Sequence, residues 1–385
     1  MAKTTSNLDR PLRDEVDRLA AFEPQGLPVV SLYLNLAADQ HGREQYDTFC
    51  RKAFADQLKR FDEDSAERAS LERDVERIQT YLASEVNRSS NALALFASAG
   101  SGEFFEAVQL DAPIEHHWLF IGAVPHIYPL VRLIDQFPRY AVVQLDTNHA
   151  RILVFALGAV EKRADVTGVK TRRHSMGGWS QARYQRHIEH VHLHNIKDVV
   201  EALDRTVRAD NIQHVVIAAD DVTAAMFKEA LPPRLAEKVT ADVKFDRVAP
   251  DDELAAATLE VLRRKDAETD AERVADVIDA WRAGGLGVAG PDATMRALQM
   301  GQVEELLITA TPETLKPIQA LPDDARPQPV ATGTSAPAGA ADRQLHLSDE
   351  FVTRAHQTGA RVRIIEDAAL LDNHGGIAAL LRFRV

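Results

Sequence analysis

Tyr140-Ala141-Val142-Val143-Gln144-Leu145-Asp146-Thr147-Asn148-His149-Ala150-Arg151-Ile152-Leu153-Val154-Phe155-Ala156-Leu157 is two apolar, β-branched runs around a short polar turn. Val, Ile and Phe favour a pleated, half-buried surface. Asp and Asn tolerate turn conformations and bond their own backbone. The stretch therefore reads as a β-hairpin over Tyr140–Leu145 and Arg151–Leu157. A third strand follows from Ala159 to Val166. Beyond it, Ile196, Val199, Val200, Leu203 and Val207 fall on one stripe of a helix read from Gln181 to Arg208. Gln213–Ala219 is a buried strand ended by Asp220-Asp221. Hairpin, strand, helix and strand make an α/β domain, and the loop before its helix is the most unusual part of the chain.

That loop reads Met176-Gly177-Gly178-Trp179-Ser180-Gln181, then Ala182-Arg183-Tyr184-Gln185-Arg186-His187. Between Glu161 and His190 stand Lys162, Arg163, Lys170, Arg172, Arg173, Arg183 and Arg186, against Glu161, Asp165 and Glu189. The whole chain carries a formal net charge of -13, so the sign reverses locally. A cationic finger on an acidic body points to a polyanion met at one place, with RNA the first candidate. Bare glycines allow close approach to a crowded target, and free amides can donate to a developing oxyanion. A glutamine amide can orient water without a charge to desolvate. The blander alternative is a flexible connection in which Ser180 caps the following helix.

The chain has 385 residues, 45% hydrophobic and 27% charged, which predicts a globular protein of two or three domains. Its one cysteine, Cys50, excludes a disulfide framework and a cysteine metal cluster, and fits a reducing cytosol. No apolar run is long enough to span a membrane, and the N-terminus has no apolar signal core. A cytoplasmic location is expected.

Three α/β domains are expected, over residues 1–137, 138–248 and 249–385. In the first, Val29–Leu36 reads as a strand, about Tyr46 to Val86 as helical, and Asn91–Phe96 and Glu103–Leu110 as strands around Ser98-Ala99-Gly100-Ser101-Gly102. In the third, Leu254–Trp281 is helical and Gly284-Gly285-Leu286-Gly287 breaks it. A helix over Pro291–Met300 and a strand over Val303–Thr309 follow. Leu321–Ala341 reads as a disordered insertion, rich in Pro, Ala and Gly. A helix near Ser348–Gln357 and strands at Arg361–Ile365 and Ile377–Arg384 complete the chain.

Other residues invite chemistry. His187, His190 and His194 share a helix face, with His192 near, and histidines one turn apart can hold zinc. Only Glu189 is a nearby acid and no cysteine assists, so RNA contact is preferred, and no metal or cofactor is expected. Asp220-Asp221 ends a buried strand, where α/β enzymes place carboxylates; a helix cap is the plainer reading. His116-His117 is expected within a strand in a structural role, and Cys50 in packing.

The loop and its basic helix resemble the central domain of the eukaryotic and archaeal class I release factor and Pelota superfamily. The resemblance is to its bacterial branch and to the Vms-type peptidyl-tRNA hydrolases, whose Gly-rich Ser-Gln loop matches Gly177, Gly178, Ser180 and Gln181. Gly290-Pro291-Asp292-Ala293-Thr294, Ala297-Leu298, Gly301, Val303–Ile308 and Gly375–Arg382 resemble that family's third, ribosomal-protein-like (L7Ae-like) domain. The resemblance implies a ribosome-associated factor that enters the A site and promotes codon-independent hydrolysis of peptidyl-tRNA. Gln181, Gly177, Gly178 and Ser180 would be catalytic. Arg172, Arg173, Trp179, Arg183, Tyr184, Arg186, His187 and His190 would contact rRNA or tRNA. The ribosome is the implied partner and a translational GTPase a candidate for delivery. This chain departs from Gly-Gly-Gln, since Trp179 and Ser180 separate Gln181 from Gly178. The stop-codon-reading motif is missing from the first domain; Asn195-Ile196-Lys197 falls in the second. The alternative is a Balon-type hibernation factor that occupies the A site without chemistry, Trp179 plugging the centre. A free RNA-processing enzyme using the His face and Asp220-Asp221 is a third class.

Overall fold

The computed structural model describes residues 12–37, 46–87, 89–145, 149–167, 196–245, 249–318 and 340–384. It is mixed α/β, with three sheets among the described residues. The chain forms two compact units, residues 136–268 and residues 1–135 with 269–385.

The first segment holds α1 (Leu12–Ala20), β1 (Val29–Asn35), α2 (Tyr46–Leu58), α3 (Ala66–Ser84), β2 (Ala92–Ser98), β3 (Phe104–Leu110), β4 (Trp118–Gly122) and α4 (Tyr128–Gln136). The sheet order is β3-β2-β1-β4, antiparallel throughout. Alternation puts Val30, Leu32 and Leu34 on one face, packed with Cys50 and Phe54 of α2 and Leu71 and Ile78 of α3. Ser65 caps α3 by accepting from Arg68 N at 3.2 Å. Two residues of α3 hold the turn after β2: Ser70 Oγ accepts from Gly100 N at 2.9 Å, and Asp74 Oδ1 from Ala99 N at 2.7 Å. Glu103 sits at φ 57, outside strand geometry, so β3 starts one residue later than its sequence suggests. His116 and His117 lie before β4, not within a strand. His117 Nδ1 accepts from Asn35 N at 3.1 Å, which extends the β1–β4 pairing by one rung in a structural role.

The central unit holds β5 (Tyr140–Leu145), β6 (His149–Ala156), β7 (Ala159–Thr167), α5 (196–209), β8 (His214–Ala219), α6 (Asp221–Ala230), α7 (Pro233–Ala236) and β9 (Val239–Lys244). The two strands pair as read, with Val142 opposite Leu153, but β6 takes in His149, which reads as turn, and stops at Ala156, since Leu157 sits at φ 50. The order is β7-β6-β5-β8-β9, with β5, β8 and β9 parallel to one another and β6 antiparallel to both β5 and β7. Ile196, Val199, Leu203 and Val207 of α5 pack on Val143, Ile152, Val215 and Ile217, as the helical stripe predicts. The opposite face, Tyr140, Val142, Leu153, Phe155 and Val216, meets Leu254 and Leu262 of α8 (Asp251–Arg282). A sheet buried on both faces explains why β8 has no polar alternation.

The remaining elements are β10 (Gly287–Ala289), α9 (Pro291–Gln299), β11 (Val303–Thr309), α10 (Ala340–Gln357), β12 (Arg361–Ile365) and β13 (Ile377–Leu381), in sheet order β10-β13-β11-β12. Gly284, at φ +70, ends α8 in the left-handed cap the glycine run predicts. Several bounds differ from expectation: α8 runs Asp251–Arg282, α9 ends at Gln299, α10 starts at Ala340, and β13 ends at Leu381, after which the Arg382 side chain bonds the carbonyls of Thr358 and Gly359. Of the expected insertion over Leu321–Ala341, residues 321–339 lie outside those described, and Ala340-Ala341 are not disordered but open α10. The first and third segments interlock. Buried Asp349 of α10 pairs with His126 Nδ1 and accepts from Tyr128 N at 3.1 Å, while Tyr128 Oη donates to Thr309 O at 2.5 Å. Burial drives the Tyr128 phenol well above its usual range. Arg132 adds a two-pronged bond to Glu366.

Candidate functional site

Strand pairing places the carboxyl ends of β5, β7, β8 and β9 along one edge of the central sheet. Leu145 pairs with Ala150 and His149 with Thr167, while Gln144 lies beside Ala218 and Ala219 beside Lys244. The segment 168–195 leaves this edge at Thr167. The described chain resumes at residue 196, where α5 begins. Carboxyl edges of parallel strands are where α/β domains gather ligands, since loops and helix N-termini converge there.

All twelve site residues read from the sequence lie on that segment: Arg172, Arg173, Gly177, Gly178, Trp179, Ser180, Gln181, Arg183, Tyr184, Arg186, His187 and His190. They lie outside the described residues, as does His194. What the structure supplies is the pedestal. Two elements hold its ends, β7 by its ladder to β6 and α5 by its buried stripe.

At the same edge Asp220 is a helix cap. Its Oδ1 accepts from Val222 N at 2.9 Å and Thr223 N at 3.0 Å, and its Oδ2 from Thr223 Oγ1 at 2.6 Å. These bonds, led by the Thr223 hydroxyl, hold its carboxyl below the usual range. Asp221 is exposed and paired with Lys244 at 2.7 Å. Asp220 therefore serves as a carboxylate cap of α6. Among the described residues no group of three or more His, Cys, Asp or Glu is arranged for a metal ion. No described helix is long and apolar enough to cross a membrane.

A polar network missed by sequence reading stiffens the edge. Arg151 Nε donates to Gln144 Oε1 at 2.6 Å, across the strand pair that the hairpin register sets. Its Nη1 donates to Asp251 Oδ1 at 2.8 Å and its Nη2 to Ala249 O, and Arg163 joins Asp251 from β7. β5, β6 and the start of α8 are thus tied at the Arg151 guanidinium, and β7 joins them through Arg163 and Asp251. The Gln144–Arg151 pair was legible from the hairpin; Asp251, a hundred positions along the chain, was not.

Residues 125–263 match the model of bacterial archaeo-eukaryotic release factor family 10, and residues 269–385 match eRF1 domain 3. The chain is therefore a release-factor-like protein of the archaeo-eukaryotic type. Within that class, its central portion carries the features of the bacterial family 10. No curated protein matches it by sequence. Among solved structures it is similar to an archaeal translation termination factor, aRF1, at 17% identity over 97% of each chain, with a TM-score of 0.27. It is also similar to S. cerevisiae Dom34, at 10% identity over 78% of this chain and 82% of that one, with a TM-score of 0.42. A ribosome-bound archaeal Pelota with ABCE1 gives 15% identity over 97% and 95%, with a TM-score of 0.37.

Proposed function

We propose that this protein is a ribosome-associated rescue factor whose segment 168–195 reaches the peptidyl transferase centre. In this reading the boundaries near 137 and 248 separate three working modules. The central one presents Gly177, Gly178, Ser180 and Gln181 to the peptidyl-tRNA ester. Gln181 orients the attacking water, and the glycine amides face the developing oxyanion. Arg172, Arg173, Arg183 and Arg186 hold RNA phosphates; Trp179, Tyr184, His187 and His190 meet bases or sugar. The observation that carries the reading is a cationic Gly-Gly-Trp-Ser-Gln segment hung from the carboxyl edge of a release-factor-like sheet.

Trp179 favours a second reading. A bulky indole between Gly178 and Gln181 can plug the centre by stacking, which describes a hibernation factor that binds without chemistry. Release of labelled peptide from ribosomes with peptidyl-tRNA and an empty A site separates the two. Gln181→Ala should keep ribosome binding and lower release by roughly a hundredfold or more, the size of losing one positioned polar group. Tight binding with no release by either protein establishes occupancy instead, with Trp179→Ala then weakening binding.

A further inference from the structure

The last turn of α8 carries an aromatic residue to the rim of the C-terminal sheet and leaves it open. Val277 and Ile278 are buried against Leu307, Ile365 and Leu371. Trp281, one turn on, is 41% exposed. Gly287 shows what fixes it there. A Cβ on Gly287 would stand 2.3 Å from Val277 O and 2.4 Å from Trp281 N, so β10 runs directly against the helix backbone. The indole is positioned by backbone packing while its ring meets solvent. It meets the His374 ring edge-on, with centroids 5.5 Å apart at 79°.

Three cations, Arg282, Lys316 and Arg384, stand near this ring in a protein of net charge -13. Partial burial lowers the His374 pKa, and the nearby charges of Arg282 and Lys316 lower it further. Lys316 is held there by its backbone N, which donates to Gly375 O at 3.1 Å. Arg384 adds a guanidinium by donating to Gly284 O. The acids nearby are Asp279, Asp372 and Asp292. Asp279 pairs with Arg282 at 3.4 Å, both side chains being well exposed, and such a pair exchanges readily for a phosphate.

We propose that Trp281, His374, Arg282 and Lys316 form a second RNA-contact surface, taking one unpaired base on the indole and its flanking phosphates on the two cations. An open indole beside fixed cations is the chemistry that binds single-stranded or splayed-out nucleotides. The inference rests on the ribosome reading above, but uses residues outside the segment 168–195.

The test is binding of the full chain to a fluorescent oligo(A) RNA and to intact ribosomes, for wild type, Trp281→Ala, Trp281→Phe, Lys316→Gln and Arg183→Ala. Trp281→Ala should weaken both by roughly tenfold, the size of one base stack, and Trp281→Phe should restore most of the loss. Lys316→Gln should flatten the logarithmic salt dependence by about 0.7, one single-strand phosphate. Wild-type binding by the Trp281 and Lys316 variants, with Arg183→Ala impaired, overturns this surface and leaves the segment reading intact. No ribosome binding by any form, wild type included, overturns both. Dependence on Trp281 with intact ribosomes but not with the oligonucleotide means a protein partner, and also overturns the proposal. Should Trp281→Ala fail to fold, Trp281→Phe and Lys316→Gln still decide it.

Discussion

Arg151 in the central unit and Asp74 in the first segment are both charged groups inside the fold, and their surroundings are opposite. Arg151 has Gln144, Asp251 and the Ala249 carbonyl around its guanidinium. Asp74, 1% exposed, has one amide, Ala99 N, and its Oδ2 lacks a hydrogen-bond partner. Burial therefore pushes the Asp74 carboxyl up to about 7. A buried charge surrounded by partners ties elements together; one with a single partner instead makes the fold sensitive to pH. The well-partnered network lies at the edge where β7 leads into the segment 168–195.

Breaking the central network should have the larger effect. Arg151→Met removes the donor shared by Gln144, Asp251 and the Ala249 carbonyl while Arg163 still pairs with Asp251, and should cost about 3 kcal/mol in urea unfolding. A loss below about 1 kcal/mol would show that the network is not a clamp. Release activity should fall further than the unfolded fraction explains, if the pedestal positions the loop.

For Asp74 the sign follows from the raised pKa. The folded state disfavours the carboxylate, so its contribution is most favourable below the ordinary value of 3.8 and is lost as pH rises to about 7. Asp74→Asn keeps an acceptor for Ala99 N and removes the titration. Relative to wild type, the variant should gain stability between pH 4 and 7, on the order of 3 kcal/mol at most. A flat difference across that range would mean that Asp74 titrates as an ordinary surface acid.

The smallest effect should come from Asp220→Ala, which removes an N-cap and should cost about 1 kcal/mol in thermal unfolding. Unchanged release by this variant would agree with a cap; complete loss of release would restore Asp220 as a candidate catalytic group.

Much of this was legible in the chain, and the reasons are local. Val303–Thr309 and Arg361–Ile365 are strands at the bounds their apolar pattern suggests. The β5–β6 pairing and the stripe of α5 follow from periods of two and 3.6. The sequence reading does not separate β4 and α4, because Trp118–Gly122 is a short apolar run without alternation and Tyr128–Gln136 a short helix with proline at its start. His117 reads as a strand residue on propensity, and the actual strand starts one position later.

By itself the sequence determined the strongly periodic strands and helices, the acidic body with its cationic Gly-Gly-Trp-Ser-Gln segment, and the resemblance that the family matches bear out. These depend on residue type and near-neighbour spacing. Tertiary structure alone decided that residues 1–135 and 269–385 share one compact unit through the buried His126–Asp349 pair. It also decided that the first half of α8 covers the central sheet, and that Trp281 stays open at a rim. Burial and pairing between positions hundreds of residues apart come from chain packing, which short-range periodicity does not encode.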